Sequence, residues 1–183
     1  MKLRYIFISS NDIKHRLGYI WAGDFISDFM TDEVRKLRYE LEHYNTISIS
    51  LITDTSKVGC CYYEKDIRVN VSISDKEVED YNYSMTDNER CEMLISLMAK
   101  GFRMAYGFDS TVPCDMLLSL LDDFRKAGYV NRWQFKRVQL KELNMVAELN
   151  CRFDINDFRM TLALVDKKTK NKNKEALIYR TPP

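Results

Sequence analysis

Residues 58–74, "VGCCYYEKDIRVNVSIS", predict a β-hairpin and point to the fold class of the whole chain. Apolar side chains alternate with polar ones through its second half, at Ile67, Val69, Val71 and Ile73. Period-two alternation places one face of a strand in a core and the other toward water, which is typical of antiparallel sheet. The short "EKD" at 64–66 has the length of a hairpin turn. We therefore expect antiparallel sheet here.

The adjacent cysteines of this hairpin, Cys60 and Cys61, are interpreted as strand residues. Successive side chains of a strand lie on opposite faces, so the two thiols cannot hold one metal ion without a break in the strand. Structural zinc sites also favour cysteines separated by two to four residues. We expect one cysteine in the core and the other on the second face, with metal or redox chemistry as the alternative.

Elements before the hairpin are predicted from residue spacing. Residues 3–9 and 47–51 have strand composition, and residues 13–30 have aromatic side chains at helical spacing. Thr31 is predicted as the N-cap of a further helix. The predicted apolar face of that helix consists of residues at spacings of three, four and three: Val34, Leu37, Leu41 and Tyr44. A strand, helices and then a hairpin are thus expected in the first half.

The second half predicts two helices and then a strand meander. Thr86 and Glu89 form a capping-box pattern that starts the first helix, and Gly128 is a natural end for the second. A strand is expected at residues 132–140, alternating runs follow at 145–153 and 158–164, and a last short strand is expected at 175–180. Strands in blocks favour an α+β fold. We predict mainly antiparallel sheets, about three to four helices packed on one side, and a strand meander at the C-terminus.

The composition limits the classes of function. The chain has 183 residues and a net charge of +1, which fits a single compact domain over 1–183, with a subdivision near 107–113 as an alternative. Proteins dedicated to duplex DNA usually carry a basic excess, so only local patches are expected to contact nucleic acid. The apolar stretches are too short to span a bilayer, and five scattered cysteines favour a reducing compartment. We predict a cytoplasmic protein with no membrane partner and no cofactor.

The segment at residues 74–85, "SDKEVEDYNYSM", is the best candidate for a partner-binding site. We interpret it as a loop between a strand and a capped helix, and loops often carry function. Clustered carboxylates steer a basic partner, while tyrosines give contact area at low entropic cost. The predicted contact residues are Asp75, Glu77, Glu79, Asp80, Tyr81 and Tyr83. The alternative interpretation is a solvated loop.

Three hypotheses of function follow, and no catalytic or metal site is predicted. The first is a non-enzymatic protein-binding module, an inhibitor or immunity-type protein that masks the active surface of a basic partner such as a bacterial toxin or nuclease. The second is an enzyme that uses Cys60 or Cys61 with His15 or His43 and dispersed carboxylates. The third is a regulatory subunit that contacts nucleic acid through the lysine-rich stretch 167–174, which otherwise serves as a soluble hairpin tip.

Overall fold

A computed structural model describes residues 1–10 and 23–181 of the chain. Its contacts divide the chain into two compact units, Met1–Tyr129 (unit 1) and Val130–Pro183 (unit 2). The first part of the helix predicted at 13–30 lies outside the described residues. The prediction of a single domain over 1–183, with a subdivision near 107–113, stays a prediction.

Unit 1 consists of a four-stranded sheet and helices. In chain order its elements are β1 (Tyr5–Ser9), α1 (Asp24–Leu37), β2 (Thr46–Ile52), β3 (Gly59–Tyr63), β4 (Asp66–Ser72), α2 (Asp75–Tyr83), α3 (Asp87–Phe108) and α4 (Cys114–Lys126). The strand order in the sheet is β1-β2-β4-β3. The predicted α+β class is confirmed.

Strands β1, β2 and β4 run parallel, and β3 is antiparallel to β4. The predicted hairpin of residues 58–74 is confirmed. The expectation of antiparallel sheet throughout this region was wrong for β2 and β4. Alternation shows that one face is buried, but it carries no information on strand direction. The sheets of the two units together are mainly antiparallel, as predicted.

Helix α3 packs against the buried face of this sheet. Ile49 at its centre is 0% exposed, and a Cβ atom added at Gly101 of α3 would lie 2.6 Å from the Cδ1 atom of Ile49. Only a residue without a side chain allows this close approach. The capping box that starts α3 is confirmed, because the Thr86 hydroxyl accepts from the Glu89 backbone N–H at 3.4 Å.

Helix α1 covers the free edge of strand β1. The backbone N–H of Ile6 donates to the Thr31 hydroxyl at 3.1 Å, and the N–H of Ile8 donates to the Ser27 hydroxyl at 3.1 Å. The prediction of Thr31 as an N-cap was therefore wrong, since α1 runs through it without a break. Leu41 is buried as expected but follows the end of the helix. A threonine in the interior of a helix looks like a cap until its distant partner is known.

Unit 2 is the C-terminal meander predicted from the sequence. Its strands are β5 (Asn131–Leu140), β6 (Met145–Phe153), β7 (Phe158–Asp166) and β8 (Lys172–Arg180), paired antiparallel in that order. Apart from a short 3-10 turn at Lys141–Leu143, the described part of unit 2 contains no helix. Every residue of β8 is exposed.

One end of this meander is held by ion pairs. The buried carboxylate of Asp157 accepts from Arg159 Nε at 2.7 Å and from Arg180 Nε at 2.5 Å. Burial alone would raise the pKa of Asp157, but the two guanidinium groups hold it below its ordinary value. The carboxylate thereby ties the last strand of the chain to the turn between β6 and β7.

Candidate functional site

The segment predicted as a partner-binding loop is mostly helix α2, so the loop interpretation was wrong. Ser74 caps the helix, because its hydroxyl accepts from the Glu77 backbone N–H at 3.2 Å. The Glu77 carboxylate accepts in turn from the Ser74 backbone N–H at 2.7 Å. The pattern Ser-x-x-Glu is a capping box that could have been recognised in the sequence. With only Val78 and Tyr81 on its inner side, the helix shows too little apolar periodicity to be detected that way.

The helix brings five of the six predicted contact residues to its outer side. They are Asp75, Glu77, Glu79, Asp80 and Tyr83, all exposed or half-exposed. Tyr81 lies in the core at 5% exposure, so its ring offers little surface to a partner. Tyr83 is 83% exposed, more than any other large apolar side chain recorded for the described residues. The prediction that this surface binds a partner stays a prediction.

The carboxylates of α2 differ in whether they already form hydrogen bonds or ion pairs within the protein. Glu77 is held by the capping box, and its hydrogen bonds from the Ser74 backbone and hydroxyl lower its pKa. Asp80 pairs with Lys76 at 3.1 Å. Glu79 forms no ion pair with any described residue. It lies four residues before Tyr83, on the same side of the helix. Glu79 and Tyr83 are therefore the two predicted residues most available to a partner. We call them the acidic-aromatic pair.

A cleft of about 450 Å³ opens beside the start of α2. Glu77 lines it together with hydroxyl groups from the ends of β2 and β4 and with Lys100 of α3, whose ammonium donates to the Ser72 hydroxyl at 3.2 Å. The carboxyl ends of parallel strands are a common place for ligand clefts. Ile73, Met93 and Leu97 also line it, so this cleft adds a concave surface of mixed polar and apolar character beside the start of the helix.

The two adjacent cysteines lie on opposite faces of β3, as predicted, but Cys60 is only half-buried, so the expectation of one cysteine in the core was wrong. Cys60 pairs in register with buried Val69, and Cys61 pairs with exposed Arg68. Burial raises the pKa of the Cys60 thiol, and neighbouring Cys61 raises it further. A thiol held protonated at neutral pH is a poor nucleophile, which gives the enzyme hypothesis no support from Cys60.

Histidines supply no partner for these thiols in the described structure. His43 is exposed and lies 3.4 Å from the Glu42 carboxylate, and neither thiol has a hydrogen bond to it. His15 falls outside the described residues.

On the same strand as the two cysteines, the Tyr62 hydroxyl donates to Asp109 at 2.5 Å, and this hydrogen bond is the main reason that the pKa of Tyr62 is raised to about 12. The tyrosine thus links β3 to the residue that ends α3.

The lysine-rich stretch is the tip of the β7–β8 hairpin, as the sequence suggested. Asp166 accepts from the backbone N–H groups of Lys168 at 2.9 Å and Thr169 at 2.8 Å, which fixes the turn. Lys172 pairs with Glu175 at 2.8 Å. The exposed lysines therefore surround a well-defined turn, and nothing in this arrangement adds an aromatic surface for bases.

Sequence reasoning missed a second polar site, which we call the basic cleft. It has a volume of about 480 Å³ and is lined by Lys2, Leu3, Arg4, Tyr5, Arg35 and Arg38. The start of β1 and the end of α1 bring these residues together. About thirty residues separate the two groups of cations, so no local motif could have revealed the cleft.

Comparison with protein families, with curated proteins and with solved structures found no match for this chain. Among the described residues, no three histidine, cysteine, aspartate or glutamate side chains are grouped so that they could hold a metal ion. None of the described helices is long and apolar enough to cross a membrane. The assignment of function therefore depends on the surfaces of the two units.

Proposed function

We propose that this chain is a non-enzymatic protein-binding module, and that it acts as an inhibitor or immunity-type protein in the cytoplasm. Its partner would be a basic protein, such as a bacterial toxin or nuclease, whose active surface is masked in the complex. The observation that carries the proposal is the acidic-aromatic pair on α2. Tyr83 is 83% exposed and contributes almost nothing to the core of unit 1.

The surface of α2 has the properties of a recognition site. The helix is ordered by its own capping box, so little conformational entropy is lost when a partner binds to it. Exposed tyrosines are frequent centres of binding energy in interfaces. The surrounding carboxylates would accelerate encounter with a cationic partner and disfavour an acidic one. The neighbouring cleft at Glu77 could accept a side chain of that partner.

The test is capture of a partner followed by measurement of its affinity. Tagged protein is mixed with extract of the native host at 50 and 150 mM salt, and a stoichiometric bound protein is identified and purified. Its association and dissociation rates are then measured against Glu79→Gln combined with Tyr83→Ala. We expect the affinity to fall about tenfold or more, because a central tyrosine and a steering charge are lost.

The matched control combines Glu42→Gln with Tyr106→Ala, which removes the same groups from exposed positions elsewhere on unit 1. Both double variants keep Ser74 and Glu77, so the cap of α2 is intact. Equal affinities for the two variants would refute the α2 surface as the binding site. An eluate with no stoichiometric protein at either salt concentration would count against a tight-binding role altogether.

A further inference from the structure

The basic cleft collects positive charge that is only partly compensated, because no described residue forms an ion pair with it and the one carboxylate recorded as attracting Arg35 is that of Asp28 on α1. None of its four cations, Lys2, Arg4, Arg35 and Arg38, has a carboxylate oxygen within 4.0 Å among the described residues. The end of α1 contributes a partial charge of about −0.5, which offsets a small part of four unit charges. By contrast, Arg125 on α4 pairs with both Glu92 and Asp122. The cleft is therefore a local site of positive potential that attracts anions.

Arg35 is held in place to receive such an anion. Its Nε donates to the Arg4 backbone carbonyl at 3.1 Å, and its guanidinium carbon lies 4.6 Å from the centre of the Tyr5 ring. Its two terminal nitrogens form no hydrogen bond with a described residue. A guanidinium fixed in this way can donate two parallel hydrogen bonds to a phosphate group with little further loss of side-chain freedom.

An exposed aromatic surface adjoins the cleft. The rings of Tyr5 and Phe7 lie 5.9 Å apart and within 10° of parallel, and Phe7 is 44% exposed. The two residues are two positions apart on one strand, a distance of about 7 Å, so a ligand in the cleft has the Phe7 ring within reach. Ser48, the register partner of Phe7 on β2, adds a hydroxyl beside it. Aromatic rings of this kind are the usual platforms for unpaired bases.

We propose that the basic cleft binds the phosphate groups of a nucleotide whose base stacks on Phe7. The nucleotide is either a free nucleoside triphosphate or part of a single strand, because both present the same phosphates and an unstacked base. A duplex presents no free base face and is not expected to compete well. The net charge of +1 is compatible with this site, because the four cations act locally.

The test measures fluorescence anisotropy with two probes, a ribose-labelled nucleoside triphosphate and an end-labelled single-stranded oligouridylate of twelve nucleotides. Inorganic tripolyphosphate and a duplex serve as competitors. We expect saturable binding of at least one probe, which the matching unlabelled nucleotide displaces better than tripolyphosphate does. If the oligonucleotide binds through three phosphates, its affinity should fall about 20-fold between 50 and 200 mM salt.

Variants separate the phosphate contacts from the base contact. Arg4→Gln combined with Arg35→Gln should weaken both probes about tenfold or more. Phe7→Leu, at an exposed position, should weaken the nucleotide about fivefold while leaving tripolyphosphate unchanged. The control, Lys168→Gln with Lys174→Gln, removes the same charge from the hairpin of unit 2 and should leave binding unchanged. Melting temperatures of all variants verify that they are folded.

Four results would overturn the proposal. Absence of binding by both probes at 50 mM salt would refute the site, as would unchanged affinity in the folded double-arginine variant. Equal displacement by tripolyphosphate and nucleotide, with no effect of Phe7→Leu, would reduce the cleft to an unspecific anion site. A loss of binding in the hairpin control instead of the cleft variant would assign the contact to the lysines of unit 2.

Discussion

In unit 1 the central strands lie against helix α3, and Ile47 and Ile49 are fully buried, whereas in unit 2 the apolar side chains of Leu149 and Leu162 remain half-exposed. Both units contain a four-stranded sheet. The difference is a second layer, which helices supply in unit 1 and which unit 2 does not supply from its own described residues. A sheet buries its apolar face only when another layer packs against it.

The sheets of the two units are stabilised in different ways. Unit 1 is ordered by burial, and unit 2 is ordered more by cross-strand pairs and by charges such as the Asp157 carboxylate between Arg159 and Arg180. Substitutions of the same chemical kind should therefore have different effects in the two units.

Removing a buried side chain should cost more in unit 1. We expect Ile49→Ala to lower the free energy of unfolding by about 3–4 kcal/mol, because it leaves a cavity under α3. The matched change Leu162→Ala should cost about 1 kcal/mol, since part of that side chain is already in water and its surroundings can close around the smaller residue. Urea unfolding of the full chain, followed by circular dichroism, measures both. Similar values would contradict the contrast between the units.

Asp157→Asn should be the most damaging polar substitution in unit 2. It leaves Arg159 and Arg180 beside a buried neutral group, and we expect a loss of about 2–3 kcal/mol, discounted because both arginines are partly exposed. Hydrogen exchange of β7 and β8 amides measures the effect. The control Glu142→Gln changes an exposed carboxylate of unit 2 that forms no ion pair with a described residue. An equal loss of protection in the control would indicate a general effect of charge.

The same carboxylate gives unit 2 a pH dependence. Because the pKa of Asp157 is lower in the folded chain, its stabilisation is complete above the unfolded value of about 3.9 and is lost as the pH falls through the folded value. We expect the protection of β8 amides, taken relative to the intrinsic exchange rate at each pH, to fall below about pH 4 in the wild-type chain and to change less in Asp157→Asn. An acid-insensitive β8 in the wild-type chain would contradict this role.

Loss of a helix cap should act on unit 1 alone. Thr86→Ala removes the hydroxyl that accepts from Glu89 and should cost about 1 kcal/mol, with fraying at the start of α3. Thr86→Ser keeps the hydroxyl and serves as the control. Hydrogen exchange should show faster opening of the first turn of α3 and no change in β5–β8. A change spread over both units would show that they unfold together.

The smallest effect concerns the buried thiols, which report local opening without any mutation. Cys61 is exposed and should react first with a thiol reagent at pH 8. Cys151 in unit 2 and Cys91 in unit 1 are both buried. Cys151 should become accessible to the reagent sooner, because the sheet of unit 2 is less covered. Peptide mapping by mass spectrometry gives the order. Labelling of Cys91 before Cys151 would reverse the ranking of the two units.

Local patterns predicted the elements that depend on local physics. The meander from β5 to β8, the α3 capping box at Thr86 and the opposed faces of Cys60 and Cys61 were all readable from neighbours in the chain. Strand direction was not, because the alternation of Ile47 and Ile67 is the same in a parallel or an antiparallel pair.

Features that depend on residues far apart in the chain could not be predicted from the sequence. Thr31 was placed at a helix start because its partner, the backbone of Ile6, lies 25 residues away. The basic cleft was missed for the same reason, since Arg4 and Arg35 meet only in the folded chain. The acidic composition of α2 was visible, but its burial of Tyr81 and exposure of Tyr83 followed only from the helix.

The hydroxyl groups of Ser27 and Thr31 have a consequence for self-association. They form hydrogen bonds with the backbone along the outer side of β1. Another chain therefore cannot easily pair with that strand. Among the described residues strand β8 has no such cover, and its run Ala176-Leu177-Ile178-Tyr179 is apolar and exposed. Of these two edges, β8 is therefore the one from which fibrous or strand-exchanged assemblies of this protein are expected to grow.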